Sequence, residues 1–160
     1  MTALEFNNIL KKYNLSIAAA ESITGGLFCA TITSVSGASE VVKCGIVTYQ
    51  ARCKTLLLGV DSSIIEQYSS ESIETTISMV RGLSQVGIGA SIYIAVTGVA
   101  SAPSTDYKII KPIGQIYIAV IYKNQLHLLD TIVEGNNRIE IQQKTVQYMM
   151  EFVVKTISEN

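Results

Sequence analysis

Two hydrophobic periods alternate along this chain, and they predict its secondary structure. Short apolar runs typical of buried strands occupy residues 15–20, 41–49, 91–96, 113–122 and 125–133. Apolar residues spaced three or four positions apart predict helices at about 6–13, 26–34, 51–58, 62–68, 70–83 and 137–157. Only Lys123 and Asn124 separate the last two strands, which predicts a β-hairpin.

This order of elements indicates an α/β fold. Helices and strands alternate first and the hairpin comes late, so we expect a three-layer α/β/α sandwich with a mixed, mostly parallel sheet. The chain has 160 residues, shows no internal repeat and contains no linker-like stretch. It is therefore predicted to form a single domain spanning residues 1–160.

Composition narrows the function classes. Hydrophobic residues make up 48% and charged residues 16% of the chain, which favours a packed core over disorder. The net charge of −1, without a basic cluster, argues against a nucleic-acid partner. The longest apolar run is too short for a membrane span, and the amino terminus does not resemble a signal peptide. We therefore expect a cytoplasmic protein without a membrane partner.

Histidine and cysteine content argues against metal chemistry. His127 is the only histidine, and it lies within an apolar run that favours a structural role. Cys29, Cys44 and Cys53 are widely spaced and lack metal-ligand spacing. We predict no metal site and no organic cofactor.

The segment from Ala20 to Gly26 is the strongest local signal for a ligand site. A strand delivers Ser22 and Thr24, followed by Gly25 and Gly26, to a predicted helix start. The first N–H groups of a helix lack intrahelical partners and attract anions, and glycines allow close approach. The segment predicts an anion site; the alternative is a helix merely capped by serine or threonine.

Other polar residues follow the remaining predicted strands. Ligands of open α/β sheets gather beyond the carboxyl ends of strands. We expect these groups to surround one pocket: Thr48-Tyr49 with Lys54, Ser36 to Ser39, Thr97-Gly98, Lys111 to Gly114, and the turn that carries Arg138.

The order of these segments resembles the CinA C-terminal domain family, the nicotinamide-nucleotide amidohydrolases. The matching segments are Ala20-Glu21-Ser22-Ile23-Thr24-Gly25-Gly26, Gly37-Ala38-Ser39, Val47-Thr48-Tyr49 with Lys54, Thr97-Gly98-Val99-Ala100, and Lys111-Pro112-Ile113-Gly114. The resemblance extends from about Leu15 to the last helix.

The resemblance implies an amidase that converts nicotinamide mononucleotide to nicotinate mononucleotide and ammonia. Ser39 maps to the proposed nucleophile and Lys54 to the general base. The other implied site residues orient groups or bind the pyridine nucleotide: Tyr49, Ser22, Thr24, Gly25, Gly26, Thr97, Gly98, Lys111 and Arg138, the last near the phosphate. Family members commonly associate, so a homo-oligomer is among the expectations.

The implied chemistry requires an unusual lysine. A serine hydroxyl needs a base, and Ser-Lys pairs are known variants of the triad. Lysine is normally protonated, with a pKa of about 10.4. Burial or a second cation must therefore lower the pKa of Lys54.

Departures from the family pattern leave alternatives open. Ile23 replaces the usual cysteine, and residues 101–106 lack the family's glycines, which predicts a reshaped loop. That loop favours an alternative, a nucleotide-binding domain without turnover. A third hypothesis is a cysteine amidase that uses Cys53 or Cys29.

Overall fold

The computed structural model describes residues 1–102 and 110–159. The helices and strands found there are α1 (Ala3–Lys12), β1 (Ile17–Glu21), α2 (Leu27–Thr33), a 3-10 turn (Ala38–Glu40), β2 (Val42–Val47), α3 (Ala51–Leu58), α4 (Ser62–Tyr68), α5 (Ile73–Gln85), β3 (Ile92–Gly98), β4 (Gln115–Tyr122), β5 (Gln125–Ile132) and α6 (Arg138–Ser158).

These strands form one mixed sheet in the order β2-β1-β3-β4-β5. β1 pairs in parallel with both β2 and β3, whereas β4 is antiparallel to β3 and β5. All strands except β4 therefore point the same way, as the sequence predicted. Glu21 aligns with Val47 on one side and Val96 on the other, so three strands end side by side.

Helices cover both faces of the sheet, which confirms the predicted three layers. One core joins α1, α2 and α6 to the sheet and includes Phe6, Phe28 and Met149. The other joins α3, α4 and α5 to the opposite face and includes Leu58 and Met79. Because an apolar core lies on each face of the sheet, the central strands are buried on both faces.

Small residues let α5 pack closely. The sheet face beneath it presents alanines at positions 18, 20, 95 and 119. At Gly82 of α5, a Cβ atom would lie only 1.8 Å from the Leu58 carbonyl oxygen. Only glycine permits this approach between α3 and α5.

The ends of several elements follow local signals. Asp61 caps α4 and Asn137 caps α6, each side chain accepting a backbone N–H. Lys123 and Asn124 both have positive φ, of 49° and 61°, as a tight hairpin turn requires.

Some predicted strand and helix boundaries were wrong. β2 ends at 47 rather than 49, and α5 begins at Ile73 because Ser72 is its cap.

None of the helices in the described ranges combines the length and apolarity needed to cross a membrane.

Candidate active site

Lys54 is a fully buried lysine on α3, just beyond the carboxyl end of β2. Its Nζ donates to Ser22 Oγ at 2.9 Å and to the Thr48 carbonyl oxygen at 2.6 Å. Burial lowers the pKa of Lys54 from 10.5 to about 8, and the nearby Glu71 and Cys53 oppose this shift only in part. A neutral amine is therefore accessible near physiological pH, and it lies beside a serine hydroxyl.

The serine beside Lys54 is not the one that the family pattern implied. Ser39 lies in the 3-10 turn before β2, exposed and next to Glu40, which pairs with Lys11 at 2.8 Å. The six residues of β2 separate that turn from the end of the strand near Lys54, a distance of about 20 Å. The predicted Ser39–Lys54 contact is therefore wrong within this chain, and Ser22 takes that place.

Glu21 occupies the start of α2. Its buried carboxylate accepts hydrogen bonds from Thr24 Oγ1 at 2.6 Å and from the amides of Gly26, Phe28 and Cys29 at 3.0, 3.1 and 2.9 Å. The helix dipole and its first N–H groups are thus satisfied by the protein's own anion.

The predicted anion site at the glycine turn is corrected by this arrangement. Gly26 and Thr24 donate to Glu21, and the Gly25 amide donates to the Ser22 carbonyl at 3.1 Å. Gly25 and Gly26 have φ of 60° and 101°, so their role is to shape the turn that presents Ser22. The sequence predicted no role for Glu21, although an acidic residue at the end of a buried strand is a usable signal.

A cavity of about 270 Å³ opens beyond the carboxyl ends of β1 and β3. It brings together predicted residues from four separate segments, and the full lining is Ser22, Ile23, Tyr49, Glu71, Gly98, Val99, Ala100, Ser101, Ala102 and Arg138. Lys54 reaches this cavity through its hydrogen bond to Ser22.

Arg138, at the first position of α6, supplies a cation to the cavity. One guanidinium nitrogen donates to Ser101 Oγ at 3.0 Å and another to the Tyr49 hydroxyl, and its Cζ lies 5.8 Å from the Tyr49 ring centroid. Within the described ranges Arg138 belongs to no ion pair. Because hydroxyl groups and not a carboxylate hold this guanidinium, its positive charge can attract an anionic ligand.

The family model of the CinA C-terminal domain matches residues 2–157. The chain belongs to this family. A CinA-like protein from Kosmotoga olearia is 31% identical over 150 residues, which cover 94% of this chain and 35% of that relative. The chain therefore spans about a third of the length of the curated relative.

Solved structures of CinA proteins share the fold. The competence/damage inducible protein CihA from Agrobacterium tumefaciens superposes with a TM-score of 0.84 at 28% identity, over 96% of this chain and 92% of that one. A CinA superfamily protein from Klebsiella pneumoniae 700603 gives a TM-score of 0.89 at 21% identity, over 99% and 96%.

Besides Thr24, Gly25 and Gly26, two further positions that the CinA resemblance marked as substrate-binding do not line the cavity: Thr97 and Lys111. Thr97 is fully buried, and its hydroxyl lies 2.8 Å from that of Thr76. Lys111 Nζ lies 5.6 Å from the Tyr117 ring centroid. In the structure both side chains contact protein groups, and their roles in substrate binding stay predictions. Gly98 does line the cavity, and a Cβ there would come within 2.5 Å of a β4 carbonyl oxygen.

Cys29 does not support the cysteine-amidase alternative. Burial, and to a smaller extent the nearby Glu21 carboxylate, raises the pKa of this thiol far above its ordinary range.

Within the described part of the chain, no three histidine, cysteine or acidic residues cluster as metal ligands do. The predicted reshaped loop at 101–106 lies outside the described residues except for Ser101 and Ala102.

Proposed function

We propose that this CinA-family chain is an amidohydrolase that converts nicotinamide mononucleotide to nicotinate mononucleotide and ammonia. The supporting observation is the 2.9 Å contact between Lys54 Nζ and Ser22 Oγ at a cavity that also holds Arg138. A base with a pKa near 8 and a hydroxyl in hydrogen-bond reach form the working unit of a Ser-Lys hydrolase.

The proposed reaction has two halves. Neutral Lys54 takes the proton of Ser22 as Oγ attacks the carboxamide carbon, and the resulting ammonium gives a proton to the departing nitrogen, which leaves as ammonia. Water then attacks the acyl-serine ester, with Lys54 again accepting and returning the proton. The Thr48 carbonyl keeps the amine aimed at Ser22 in both halves.

Arg138 and Tyr49 are placed to bind the phosphate end of the proposed nucleotide substrate. The guanidinium presents paired N–H donors that match phosphate oxygens, and the Tyr49 and Ser101 hydroxyls fix its direction. Because the donor is already oriented, little side-chain entropy is lost on binding.

Ammonia release from nicotinamide mononucleotide by Ser22→Ala, Lys54→Met and Ser39→Ala proteins tests the proposal. We expect the first two changes to lower kcat about a thousandfold or more, because the two groups act as a unit. Ser39→Ala is the matched serine control and should retain activity within about twofold.

Other outcomes point elsewhere. Full activity in Ser22→Ala with loss in Ser39→Ala would contradict the assignment of the nucleophile. A folded wild-type protein that is stabilised by the nucleotide but releases no ammonia would instead support the nucleotide-binding alternative.

A further inference from the structure

Opposite charges are built into the cavity that holds Ser22. Arg138 enters it from the start of α6, and Glu71, which immediately precedes the cap of α5, forms part of another wall. Glu71 lies close enough to Lys54 for its charge to act on that amine. Glu71 therefore lines the same cavity as Ser22 and interacts electrostatically with Lys54.

The segment that carries Glu71 is held firmly. Ser69 has a φ of 82°, which is unusual for a serine, and its hydroxyl donates to the Glu71 carbonyl at 3.1 Å. Ser72 caps α5, and Thr76 of α5 contacts Thr97 of β3 through their hydroxyls. These contacts fix the backbone on both sides of Glu71.

We propose that Glu71 recognises a positively charged ring, so that the cavity selects zwitterionic nucleotides with a cationic ring beside Ser22 and a phosphate at Arg138. The inference rests on the proposed function and extends it to a specificity determinant. The carboxamide must lie against Ser22 and Lys54, which places the pyridinium ring that bears it at the Glu71 end.

Charge selection at this position has chemical consequences. A cationic ring is attracted to the half-buried carboxylate, whereas the neutral dihydropyridine form of the same nucleotide forgoes that attraction. The pyridinium charge also favours the neutral form of Lys54, the form needed for catalysis. After hydrolysis, the new carboxylate of the product faces Glu71, which favours its release.

The test compares two ligands that differ in ring charge. Nicotinamide mononucleotide and its 1,4-dihydro form share phosphate, ribose and carboxamide. Their dissociation constants are measured by calorimetry on the Ser22→Ala protein, so that no turnover intervenes. We expect the cationic form to bind at least tenfold more tightly.

Glu71→Gln, added to Ser22→Ala, should reduce that preference to below threefold. Glu151→Gln is the matched control, because it makes the same charge change at an exposed position of α6; it should keep the full preference. A preference unchanged by Glu71→Gln would overturn the inference, as would equal affinities in Ser22→Ala alone, a result that does not require Glu71→Gln to fold.

Failure of this inference is distinguishable from failure of the proposed function. Ammonia release by the wild-type protein together with equal binding of both ligands overturns only the role of Glu71. Selective binding of the cationic nucleotide without ammonia release overturns only the amidase activity.

Discussion

Lys54 carries its amine into the protein interior, where a charge is poorly solvated. Its amine has hydrogen-bond acceptors in Ser22 and the Thr48 carbonyl, and these do not replace a full hydration shell. Burial at this position therefore lowers stability and makes the neutral amine accessible near neutral pH, as the proposed role of Lys54 as a base requires.

The pH dependence of activity should report Lys54 directly. Because its pKa is lowered to about 8, we expect kcat/KM for ammonia release to rise about tenfold per pH unit below 8 and to level off above it. Initial rates measured from pH 6 to 9.5 at constant ionic strength check this. A profile that is flat across that range would exclude Lys54 as the base.

The free energy of unfolding should also depend on pH because Lys54 is buried. The pKa is lower in the folded state, about 8 against 10.5, so between these values the folded protein binds fewer protons than the unfolded chain. The penalty is full below pH 8 and disappears as the pH rises towards 10.5.

We therefore expect Lys54→Met to raise the free energy of unfolding at pH 7 by on the order of 1 to 3 kcal/mol. It should also remove the rise in stability between pH 8 and 10.5. Urea denaturation at a series of pH values measures both effects. A less stable variant with an unchanged pH slope would show that the amine is not penalised by its burial.

The first turn of α2 depends on an internal anion. Glu21 accepts three amide protons and one hydroxyl proton there, and it lies directly before Ser22. The carboxylate thus fixes both the helix start and the turn that presents the serine.

Glu21→Gln should destabilise the protein by about 2 to 4 kcal/mol, because a glutamine NH₂ faces amide protons that then lack acceptors. Glu40→Gln is the control: its carboxylate is mostly exposed in the pair with Lys11, so a loss below about 0.5 kcal/mol is expected. Thermal and urea unfolding of both variants compare them. Equal losses would contradict the buried-anion role of Glu21.

Elements were more predictable than contacts. Apolar spacing predicted the helices and strands, and the two residues between the last strands predicted the hairpin, because these signals lie within a few residues of one another. The Ser22–Lys54 contact joins positions 32 apart, and nothing local encodes it. Even so, the strand predicted at 41–49 lies between Ser39 and Lys54, and this alone should have placed the two at opposite ends of β2.

At the scale of the whole molecule, α6 completes the site. Gln142 donates its side-chain amide to the Ile23 carbonyl at 2.7 Å, which ties the helix to the Ser22 turn across 119 positions. Arg138 lies one turn earlier on the same helix. One helix therefore both contacts the turn that presents Ser22 and places Arg138 at the cavity, so the candidate site requires the complete sandwich.

Arg138 should act on the phosphate end of the nucleotide alone. In the Ser22→Ala background, we expect Arg138→Gln to raise the dissociation constant of nicotinamide mononucleotide at least tenfold, a typical cost for a lost charge-assisted hydrogen bond. The dissociation constant of nicotinamide riboside, which lacks the phosphate, should change by less than about twofold. Calorimetric titrations of both ligands measure the difference.

Arg81→Gln, at an exposed position of α5, is the control for charge alone and should alter neither affinity. Equal losses for both ligands would mean that Arg138 shapes the cavity through Tyr49 and does not bind the phosphate.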